Sequence, residues 1–445
     1  MVLFVWLVLS GLAGDLACIP ELKGEKARMA KVSQSLQGMT DIEFPEVNIW
    51  QTLEARAREV MLQYDFREIR TPIVEMASVY LHSLGDTSEI VQKQMYAFET
   101  RGGKQVCLRP EGTAGVMRYV SNNQQELQDA RLYYMGPMFR AERPQAGRKR
   151  QFHQLGVECI GSASARQDAE VIALQAALFK AWKLDGVQFQ LNTRGSAEDF
   201  PKILEGLRSE LMPVTDDLCD DCRHRMDNNV LRVLDCKNPG CKKVVKELSP
   251  ITTWMDPASV AYFEEVLATL DTFGVDYVVN PLLVRGLDYY QHSIWEVTSN
   301  RIGAQDALSG GGRYAMKANG KSIEGVGFGI GMERVLMALA EESAKEFAQE
   351  KDPLIVLVGQ NEEAQSANLT LLGRLREQGL RVRMDLNGKS MKAQMKGAGR
   401  QQARWVLIRG ESELEAGTVQ LRDMESGEQK EVALTDLAAE FSELL

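Results

Sequence analysis

The sequence predicts an α+β fold, in which an antiparallel sheet with helices precedes a smaller C-terminal α/β domain. Length is one reason, since 445 residues exceed what a single ordinary core organises. The other is a change of rhythm near residue 352: hairpins dominate before it, whereas the strands "PLIVLVG", "RVRMD" and "ARWVLIRG" alternate with helices after it. We expect residues 29–351 to form the body and residues 352–445 the tail domain.

The body begins with a helix and continues in hairpins. Apolar residues in "PEVNIWQTLEARAREVMLQYD" recur at helical spacing, and Pro72 predicts that the next strand, "FREIRTPIVE", lies at an edge or interface. Hairpins are predicted around Gly102 and Gly103 and at residues 132–161, and Asp168 is the predicted cap of a helix. Strand patterns return with "YVVNPLLV" and pass through "LSGGGRY" to "GVGFGIGMERVL", where a strand turns into a helix.

Two segments stand apart from this pattern. A less regular stretch with four cysteines predicts an insertion at about residues 192–275. Residues 1–28 contain a short apolar run that no basic residue precedes, and Met29 then opens an ordinary-looking start. We expect residues 1–28 to lie outside the fold, with an export signal as the alternative.

Composition indicates a water-soluble globular protein, with 44% hydrophobic and 26% charged residues. A net charge of −10 argues against indiscriminate binding to nucleic acid or membranes, but it leaves room for a local basic patch. No apolar run reaches the roughly 18 residues of a membrane span. Seven cysteines, an odd number, suit a reducing compartment, so we expect a cytoplasmic protein without a membrane partner.

The hairpin at residues 132–161 carries more charge than a sheet usually buries. The polar groups just inside its strands are Arg140, Glu142, His153, Gln154 and Glu158. A solvated hairpin is the plain interpretation. However, Arg285 and Arg334 also lie on regular structure beside glycine, arginine is costly to bury unpaired, and its planar fork suits phosphate oxygens. The sequence lacks a phosphate loop of the G-x-x-x-x-G-K-S/T kind, so any nucleotide is expected to bind through arginines on the sheet.

These segments resemble the class II aminoacyl-tRNA synthetases. "FRAERPQAGRKRQFHQLGVE" resembles their motif 2, "GVGFGIGMER" their motif 3, and the helix ending in "RTPIVE" their motif 1. "LRPEGTAG", "LVRGLDYY" and "GGGRY" resemble the histidyl-tRNA synthetase family of bacterial type, from Met29 to the C-terminus. The resemblance implies ATP-dependent attachment of histidine to the 3′ end of tRNA(His) through a histidyl-adenylate.

The resemblance also implies an ATP site with three catalytic arginines. Arg140 would grip the α-phosphate and Arg334 the γ-phosphate, where the N-terminus of a helix also attracts anions. Glu142 would contact the adenine amino group, and Phe152 would stack beneath the ring. Arg285 is the candidate for neutralising the α-phosphate from the side opposite Arg140, and Mg²⁺ would bridge the β- and γ-phosphates.

A histidine site is implied beside it. The groups that resemble those holding the α-amino end are Glu111, Gly112, Thr113 and Gln154. The groups that resemble the imidazole pocket are Glu158, Tyr289, Tyr290 and Tyr314, with plain sheet packing as the alternative for the last two. A buried carboxylate that accepts from a ring nitrogen would reject other amino acids about 10⁴-fold. Gln92, Gln94 and Ala315 depart from the residues usual in the family.

The remaining signals concern metal and partners. Cys219, Cys222, Cys236 and Cys241 have a spacing suited to a structural Zn²⁺, with reduced thiols as the alternative, and no catalytic metal ligand is expected. The tail domain carries many basic residues, namely Arg374, Arg376, Arg381, Arg383, Lys389, Lys392, Lys396, Arg400 and Arg404.

Such a basic run is often a solvated helix face, but here it resembles an anticodon-binding domain. The expected tRNA contacts are Arg148, Lys392, Lys396 and Arg404. The motif 1-like helix and the strand around Pro72 predict a homodimer.

Two rival functions share part of this pattern. The synthetase-like regulatory subunit of ATP phosphoribosyltransferase resembles the body but lacks the tail domain and much of the ATP apparatus. A class II synthetase for glycine, proline or threonine would share the three motifs, and "RGLDYY" and "GGGRY" argue against it.

Overall fold

A computed structural model describes residues 35–444, except residues 85–87, 89, 124–126, 128, 162, 286–288, 304–306, 319 and 350–353. The expectation for residues 1–28 therefore lies outside the described residues.

The first part of the body contains seven strands and four α-helices among the described residues. They are α1 (Glu46–Gln63), β1 (Arg67–Glu68), β2 (Val74–Met76), α2 (Ala77–Leu84), β3 (Tyr96–Glu99), β4 (Gln105–Leu108), α3 (Thr113–Asn122), β5 (Arg131–Phe139), β6 (Gln151–Ile160), α4 (Ala165–Ala181) and β7 (Val187–Thr193). A π-helical turn at Ile90–Gln94 precedes β3.

The region between β7 and the next strand is helical, which corrects the expectation of a less regular stretch. Its helices are α5 (Asp199–Leu211), α6 (Asp220–Asn228), α7 (Leu231–Leu234), α8 (Pro239–Lys246) and α9 (Pro257–Phe273), with 3₁₀ turns at Met212–Asp217 and Ile251–Trp254. Helix α9 packs against α4 and the main sheet, so we call residues 194–256 the insertion. It has a hydrophobic core of its own, to which Ile203, Leu207, Val233 and three of the cysteines contribute.

The body then returns through β8 (Tyr277–Val279), β9 (Tyr290–Ser299), β10 (Ala307–Ala318), β11 (Lys321–Gly331), α10 (Met332–Ala338) and α11 (Glu341–Ala348). Its main sheet has the order β1-β5-β6-β11-β10-β9-β7-β8. The edge pairs β1–β5 and β7–β8 are parallel, and the inner pairs are antiparallel. The predicted antiparallel sheet with helices is confirmed.

The two faces of the main sheet have different tasks. Leu155 and Val157 on β6 pack with α1, α4 and α9 into the main hydrophobic core. Neighbouring side chains on a strand point to opposite faces of the sheet, as the pleat requires. Gln154 and Glu158, which flank this pair, therefore face α3 and the smaller core around Tyr290. The site lies on this second face.

Asp168 is not the cap of α4. The helix begins at Ala165, and Ser164 caps it by accepting a hydrogen bond from the backbone N–H of Gln167 at 3.4 Å. Asp168 lies in the first turn, fully buried, where its carboxylate pairs with Arg313 at 2.6 Å. The sequence pattern predicted the helix but placed its start too late, and it did not indicate the partner of Asp168, which lies 145 residues away.

The tail domain has a five-stranded sheet of order β13-β12-β14-β15-β16. Its elements are β12 (Ile355–Gly359), α12 (Glu362–Glu377), β13 (Val382–Met384), α13 (Met391–Arg400), β14 (Trp405–Arg409), α14 (Glu411–Ala416), β15 (Thr418–Asp423), β16 (Gln429–Ala433) and α15 (Leu437–Leu444). Strands β13, β12 and β14 are parallel, and β15 and β16 complete the sheet antiparallel. This confirms the predicted α/β alternation.

A third, small sheet has the order β2-β4-β3 and lies beside α2, and Cys107 of β4 shares a small core with Ala114 of α3. Pro72 falls in the gap between β1 and β2, which interrupts the single strand that the sequence predicts there. Separately, no helix among the described residues has both the length and the apolar character needed to cross a bilayer.

Candidate active site

A cavity of about 470 Å³ opens on the second face of the main sheet. It brings together Arg140, Arg285 and Arg334, which are far apart in the sequence. Five cationic side chains line it against three carboxylates in the described part of the chain, so the cavity favours an anionic ligand. The other lining residues that the sequence singled out are Glu142, Arg148, Phe152 and Gln154.

The hairpin of β5 and β6 positions one side of the cavity. Arg140 follows the end of β5, and its Nε donates to the carbonyl oxygen of Pro110 at 2.9 Å. Its guanidinium lies 4.9 Å from the ring centre of Phe152, so cation and ring support each other. Glu142 lies 3.8 Å from the guanidinium of Arg148 in the adjoining loop.

Arg285 enters from the segment that follows β8. Its Nη1 donates to the Glu296 carboxylate, whereas its Nε is buried without a hydrogen-bond partner among the described residues. Glycine at position 310 is essential for this placement, because a Cβ there would lie 2.2 Å from Arg285 Nη2. The buried, unpartnered Nε points to an acceptor supplied by a ligand.

Arg334 lies in the first turn of α10, directly after β11. Its guanidinium donates to the backbone carbonyls of Ala307 and Gly147, which ties the helix to β10 and to the hairpin loop. The preceding residue, Glu333, is buried and accepts from the backbone N–H of His153 at 3.0 and 3.1 Å. The start of α10 thus fixes β6 as well as lining the cavity.

Next to the cavity lies a buried group of acids and tyrosines, which we call the tyrosine pocket. Its members are Glu111, Thr113, Tyr134, Glu158, Tyr289, Tyr290 and Tyr314. The Tyr314 hydroxyl donates to Glu158 Oε2 at 2.6 Å, and the rings of Tyr289 and Tyr290 are 4.9 Å apart. Glu158 lies on β6 and Tyr314 on β10, so this hydrogen bond passes over β11, the strand between them.

Close packing in the tyrosine pocket requires glycine. The ring of Tyr134 lies between Gly112 and Gly156, and a Cβ at either position would come within 2.2 Å of it. Gly112 therefore serves the packing of Tyr134 at the start of α3, which the sequence did not indicate. The following helix is capped by the Glu111 carboxylate, which accepts from the backbone N–H groups of Thr113 and Ala114 at 2.7 and 2.8 Å.

Burial governs the charge state of the pocket. It raises the pKa of Glu158 to about 8, although hydrogen bonds from Tyr314 and Thr113 favour the carboxylate. Burial also raises the pKa of Glu111, against the opposing effect of the backbone hydrogen bonds that it accepts. Glu158 is therefore poised near neutral pH, so a ligand that donates a hydrogen bond or carries positive charge would convert it to the carboxylate.

Four side chains around the site were missed from the sequence, one of which is Tyr134 in the tyrosine pocket. Glu296 and Glu333 line the cavity. Arg109 ties β5 to the segment before β2 by donating to the carbonyl oxygens of Pro137 at 2.9 Å and Thr71 at 2.8 Å. The sequence could have indicated Glu333, because it directly precedes the candidate residue Arg334 in "GMER". Among the described residues that line the cavity, the carboxylates of Glu142, Glu296 and Glu333 are the groups that could hold Mg²⁺.

The tail residues differ in how exposed their charges are. Lys392 and Lys396 lie one turn apart on the exposed face of α13. Arg404 is instead held by Asp423 at 2.7 Å and by Glu425, and lies over the ring of Trp405. A second cavity, of about 320 Å³, lies between α12 and α13. Its basic lining residues are Arg376, Arg383, Lys389 and Arg400.

The four cysteines of the insertion converge. The sulfur atoms of Cys219, Cys222, Cys236 and Cys241 all lie within 4.8 Å of one another. The backbone N–H of Cys219 points at the sulfur of Cys241 at 3.2 Å, and a backbone hydrogen bond from Cys222 is the largest of several that lower the pKa of the Cys219 thiol to about 7. Polar hydrogens directed at sulfur favour thiolate and hence a soft metal ion.

Comparison with known proteins identifies close relatives of this chain. Residues 38–335 match the family model for histidyl-tRNA synthetase, and residues 352–444 match that for the anticodon binding domain. A histidine–tRNA ligase of Halothermothrix orenii is 41% identical over 416 residues, which cover 92% of this chain and 99% of the relative. One of Bacillus cytotoxicus is 41% identical over 418 residues, covering 92% and 98%.

Solved structures agree. The crystal structure of apo S. aureus histidyl-tRNA synthetase has a TM-score of 0.76 and 31% identity, and covers 92% of this chain and 99% of that one. A Bacillus halodurans protein, described as an ATP phosphoribosyltransferase regulatory subunit/histidyl-tRNA synthetase, has a TM-score of 0.63 and 20% identity, covering 86% and 99%. At that identity the second match shows the fold alone.

The raised pKa of Glu158 predicts a pH-dependent stability. The folded state holds this proton more tightly than the unfolded chain, so the group favours folding below about pH 4.5 and loses that contribution as pH rises through about 8. The free energy of unfolding in urea should be measured at pH 5 and pH 8.5. The stability of Glu158→Gln relative to the native protein should be greater at pH 8.5 than at pH 5. Glu265→Gln, which removes an exposed carboxylate, should keep a profile parallel to native. Parallel profiles for both variants would contradict the assignment.

Proposed function

The chain belongs to the histidyl-tRNA synthetase family, and we propose that its cavity binds ATP while its tyrosine pocket binds histidine. The protein is a class II aminoacyl-tRNA ligase that uses ATP and Mg²⁺ to charge tRNA with histidine. One observation carries the assignment of residues. Three arginines from separate segments meet in one cavity, directly beside a buried carboxyl group that is poised near neutrality.

The cavity arginines would bind the triphosphate of ATP. Arg140 and Arg285 would contact the α-phosphate, and Arg334 the γ-phosphate, with Phe152 beneath the adenine and Glu142 at its amino group. The unpartnered Nε of Arg285 supports this, since a phosphate oxygen would supply the acceptor that the described residues lack. Mg²⁺, when bound, would neutralise the β- and γ-phosphates.

Histidine would be recognised from both ends. Gln154 Oε1 is buried without a partner among the described residues, and it would accept from the α-amino group. Glu111, Gly112 and Thr113 would complete that end. Glu158, held by the Tyr314 hydroxyl, would accept the ring N–H beside the packed rings of Tyr289 and Tyr290. An amino acid without that N–H would leave a buried acid unpaired, which is the physical basis for rejecting it.

The reaction then follows from charge and position. The histidine carboxylate attacks the α-phosphorus in line, the bond to the bridging oxygen breaks, and pyrophosphate leaves. Negative charge grows on the α-phosphate during attack, and the preorganised guanidinium groups of Arg140 and Arg285 would stabilise it. In the second step the terminal ribose hydroxyl of tRNA takes the histidyl group from AMP.

The tail domain and the hairpin loop would hold the tRNA. Lys392 and Lys396 are exposed on α13 and suit phosphate contacts, and Arg148 in the loop lies at the mouth of the cavity. Arg404 is the weakest of the expected contacts, because two carboxylates already hold its guanidinium. The tail domain and the arginine-lined cavity also distinguish this chain from a regulatory subunit that charges no tRNA.

Arg285→His should lower the turnover number of histidine-dependent ATP–pyrophosphate exchange by about 10²–10³, because it removes a preorganised charge at the α-phosphate. The KM values for histidine and ATP should change only a few-fold. Arg285→Lys should recover part of the rate, since lysine can still pair with Glu296 but lacks the fork. Near-normal exchange in a folded but less stable variant would show that Arg285 only braces the sheet.

The double variant Lys392→Ala, Lys396→Ala is the matched control for this experiment. It should exchange pyrophosphate at the native rate and lose tRNA charging at moderate salt, since it removes phosphate contacts alone. Equal losses in both steps would argue against a tRNA-binding role for α13.

We also propose that the four insertion cysteines hold one structural Zn²⁺. Ligands at about 2.3 Å in a tetrahedron are about 3.8 Å apart, and the observed sulfur atoms are within 4.8 Å of one another, so the set fits. Burial of Cys222 and Cys241 would exclude water from the ion. The six cysteines among the described residues are free, which agrees with the reducing cytoplasm where we place the protein.

Metal analysis of the purified protein should find about one zinc per chain, as four thiolates in a tetrahedron require. Cys236→Ser should lose it and lower the melting temperature, whereas Cys107→Ser, which changes a buried thiol in β4, should retain it. A metal-free protein with all four insertion thiols open to titration would refute the site.

A homodimer is proposed through the small sheet. Large apolar side chains are exposed there, namely Ile73, Val74, Met76, Leu81 and Phe98, whose exposures range from 39% to 48%. Exposed large apolar side chains in one region are typical of an interface. Sedimentation equilibrium should show a dimer that Phe98→Glu dissociates, while Leu386→Glu, at a site 72% exposed in the tail domain, leaves it intact. A native monomer at micromolar concentration would exclude the dimer.

A further inference from the structure

The segment at residues 280–285 runs between the active site and the insertion. It begins with a turn, in which the backbone N–H of Leu283 donates to the carbonyl oxygen of Asn280 at 3.0 Å, and from Leu282 onwards its side chains alternate between two sides. Leu282 and Val284 pack against the insertion core. Leu283 joins the core beneath the tyrosine pocket, and Arg285 lines the cavity. The residue that we assign to the α-phosphate is therefore carried by a segment whose other face rests on the insertion.

Hydrogen bonds to the main sheet fix the backbone of this segment, but not its far end. Buried Asn192 on β7 donates from Nδ2 to the carbonyl oxygens of Pro281 at 3.1 Å and Leu283 at 3.0 Å. Asn280 donates to the side chain of Gln190 at 2.7 Å. These contacts hold residues 280–283. Beyond them, Glu296 holds the tip of the Arg285 side chain, and the backbone that carries Arg285 is supported where Val284 packs against the insertion core.

The insertion side of the contact has room to yield. A cavity of about 250 Å³ lies between the insertion core and the segment, with Leu234, Val245, Pro281 and Leu282 among its lining residues. An empty space beside Leu282 removes packing partners from one side. The segment is therefore held on this side mainly by the contacts of Leu282 and Val284 with the insertion core.

We infer that Leu282 and Val284 are positioning residues, which hold Arg285 at the α-phosphate by packing against the insertion core. The inference rests on the proposed role of Arg285. A charge that acts on a transition state must be held within about 0.5 Å, and a shift of about 1 Å costs up to 10²-fold in rate. The insertion is then part of the apparatus for adenylate formation.

Val284→Ala and Val233→Ala form a matched pair for the test. Both delete the same two methyl groups beside the same core, but Val233, on α7, is fully buried within the insertion and does not line the cavity beneath the segment. With folding checked by circular dichroism, Val284→Ala should lower the turnover number of pyrophosphate exchange about 10-fold and leave the KM for histidine within about twofold. Val233→Ala should keep a near-native turnover number, and Val284→Ile should restore most of the rate.

Equal effects of the two alanine variants on the turnover number would overturn the inference, since a general loss of stability would then explain both. A native rate in Val284→Ala would overturn it as well. Failure of the proposed function is distinguishable, because in that case Arg285→His would itself retain exchange. A slow Arg285→His beside a native Val284→Ala would remove only the positioning role.

Discussion

A buried ion pair behind the sheet holds the strand on which the site depends. Arg313 and Asp168 are 2% and 0% exposed, and Arg313 Nε donates to Asp168 at 2.6 Å. Tyr262 donates to the other carboxylate oxygen at 2.9 Å, so α4, β10 and α9 meet at one charge. Losing one partner of such a pair typically costs about 3–5 kcal/mol, because the other charge stays buried.

The location of this pair explains its importance. Strand β10 contains three consecutive glycines before Arg313, and these contribute no side chains to packing. Two of them must lack a side chain on the face of the sheet that bears the site, because Gly310 makes room for Arg285 and Gly312 for Tyr290. The strand is therefore anchored from behind at Arg313, and the next residue, Tyr314, reaches forward to Glu158. One residue step separates the anchor from the pocket.

Much of the fold and site could be predicted from the sequence, because motifs report local chemistry. The antiparallel sheet, the α/β tail domain and the candidate arginines all came from patterns within single segments, and the structure brings those arginines into one cavity. What failed depended on distant partners. Asp168 was expected to cap a helix, yet its partner lies 145 residues away. Tyr134 and the helical character of the insertion were missed because tertiary packing decides both.

Arg404 shows the same limit for charge. A count of basic residues treats it as equal to Lys392, but two carboxylates hold its guanidinium while Lys392 is exposed. An arginine whose charge two carboxylates already balance adds little to the field that a ligand meets, whereas cations that outnumber the carboxylates around them add more.

This distinction reconciles a net charge of −10 with polyanionic substrates. Negative charge is spread over the whole chain, whereas five cations face three carboxylates among the described residues that line the main cavity. At physiological ionic strength a charge is screened within about 8 Å, so a phosphate group responds to the groups beside it and not to the total. The acidic remainder limits non-specific attachment to nucleic acid, so an anion is attracted by local clusters of cations, of which the lining of the main cavity and the exposed face of α13 are two among the described residues.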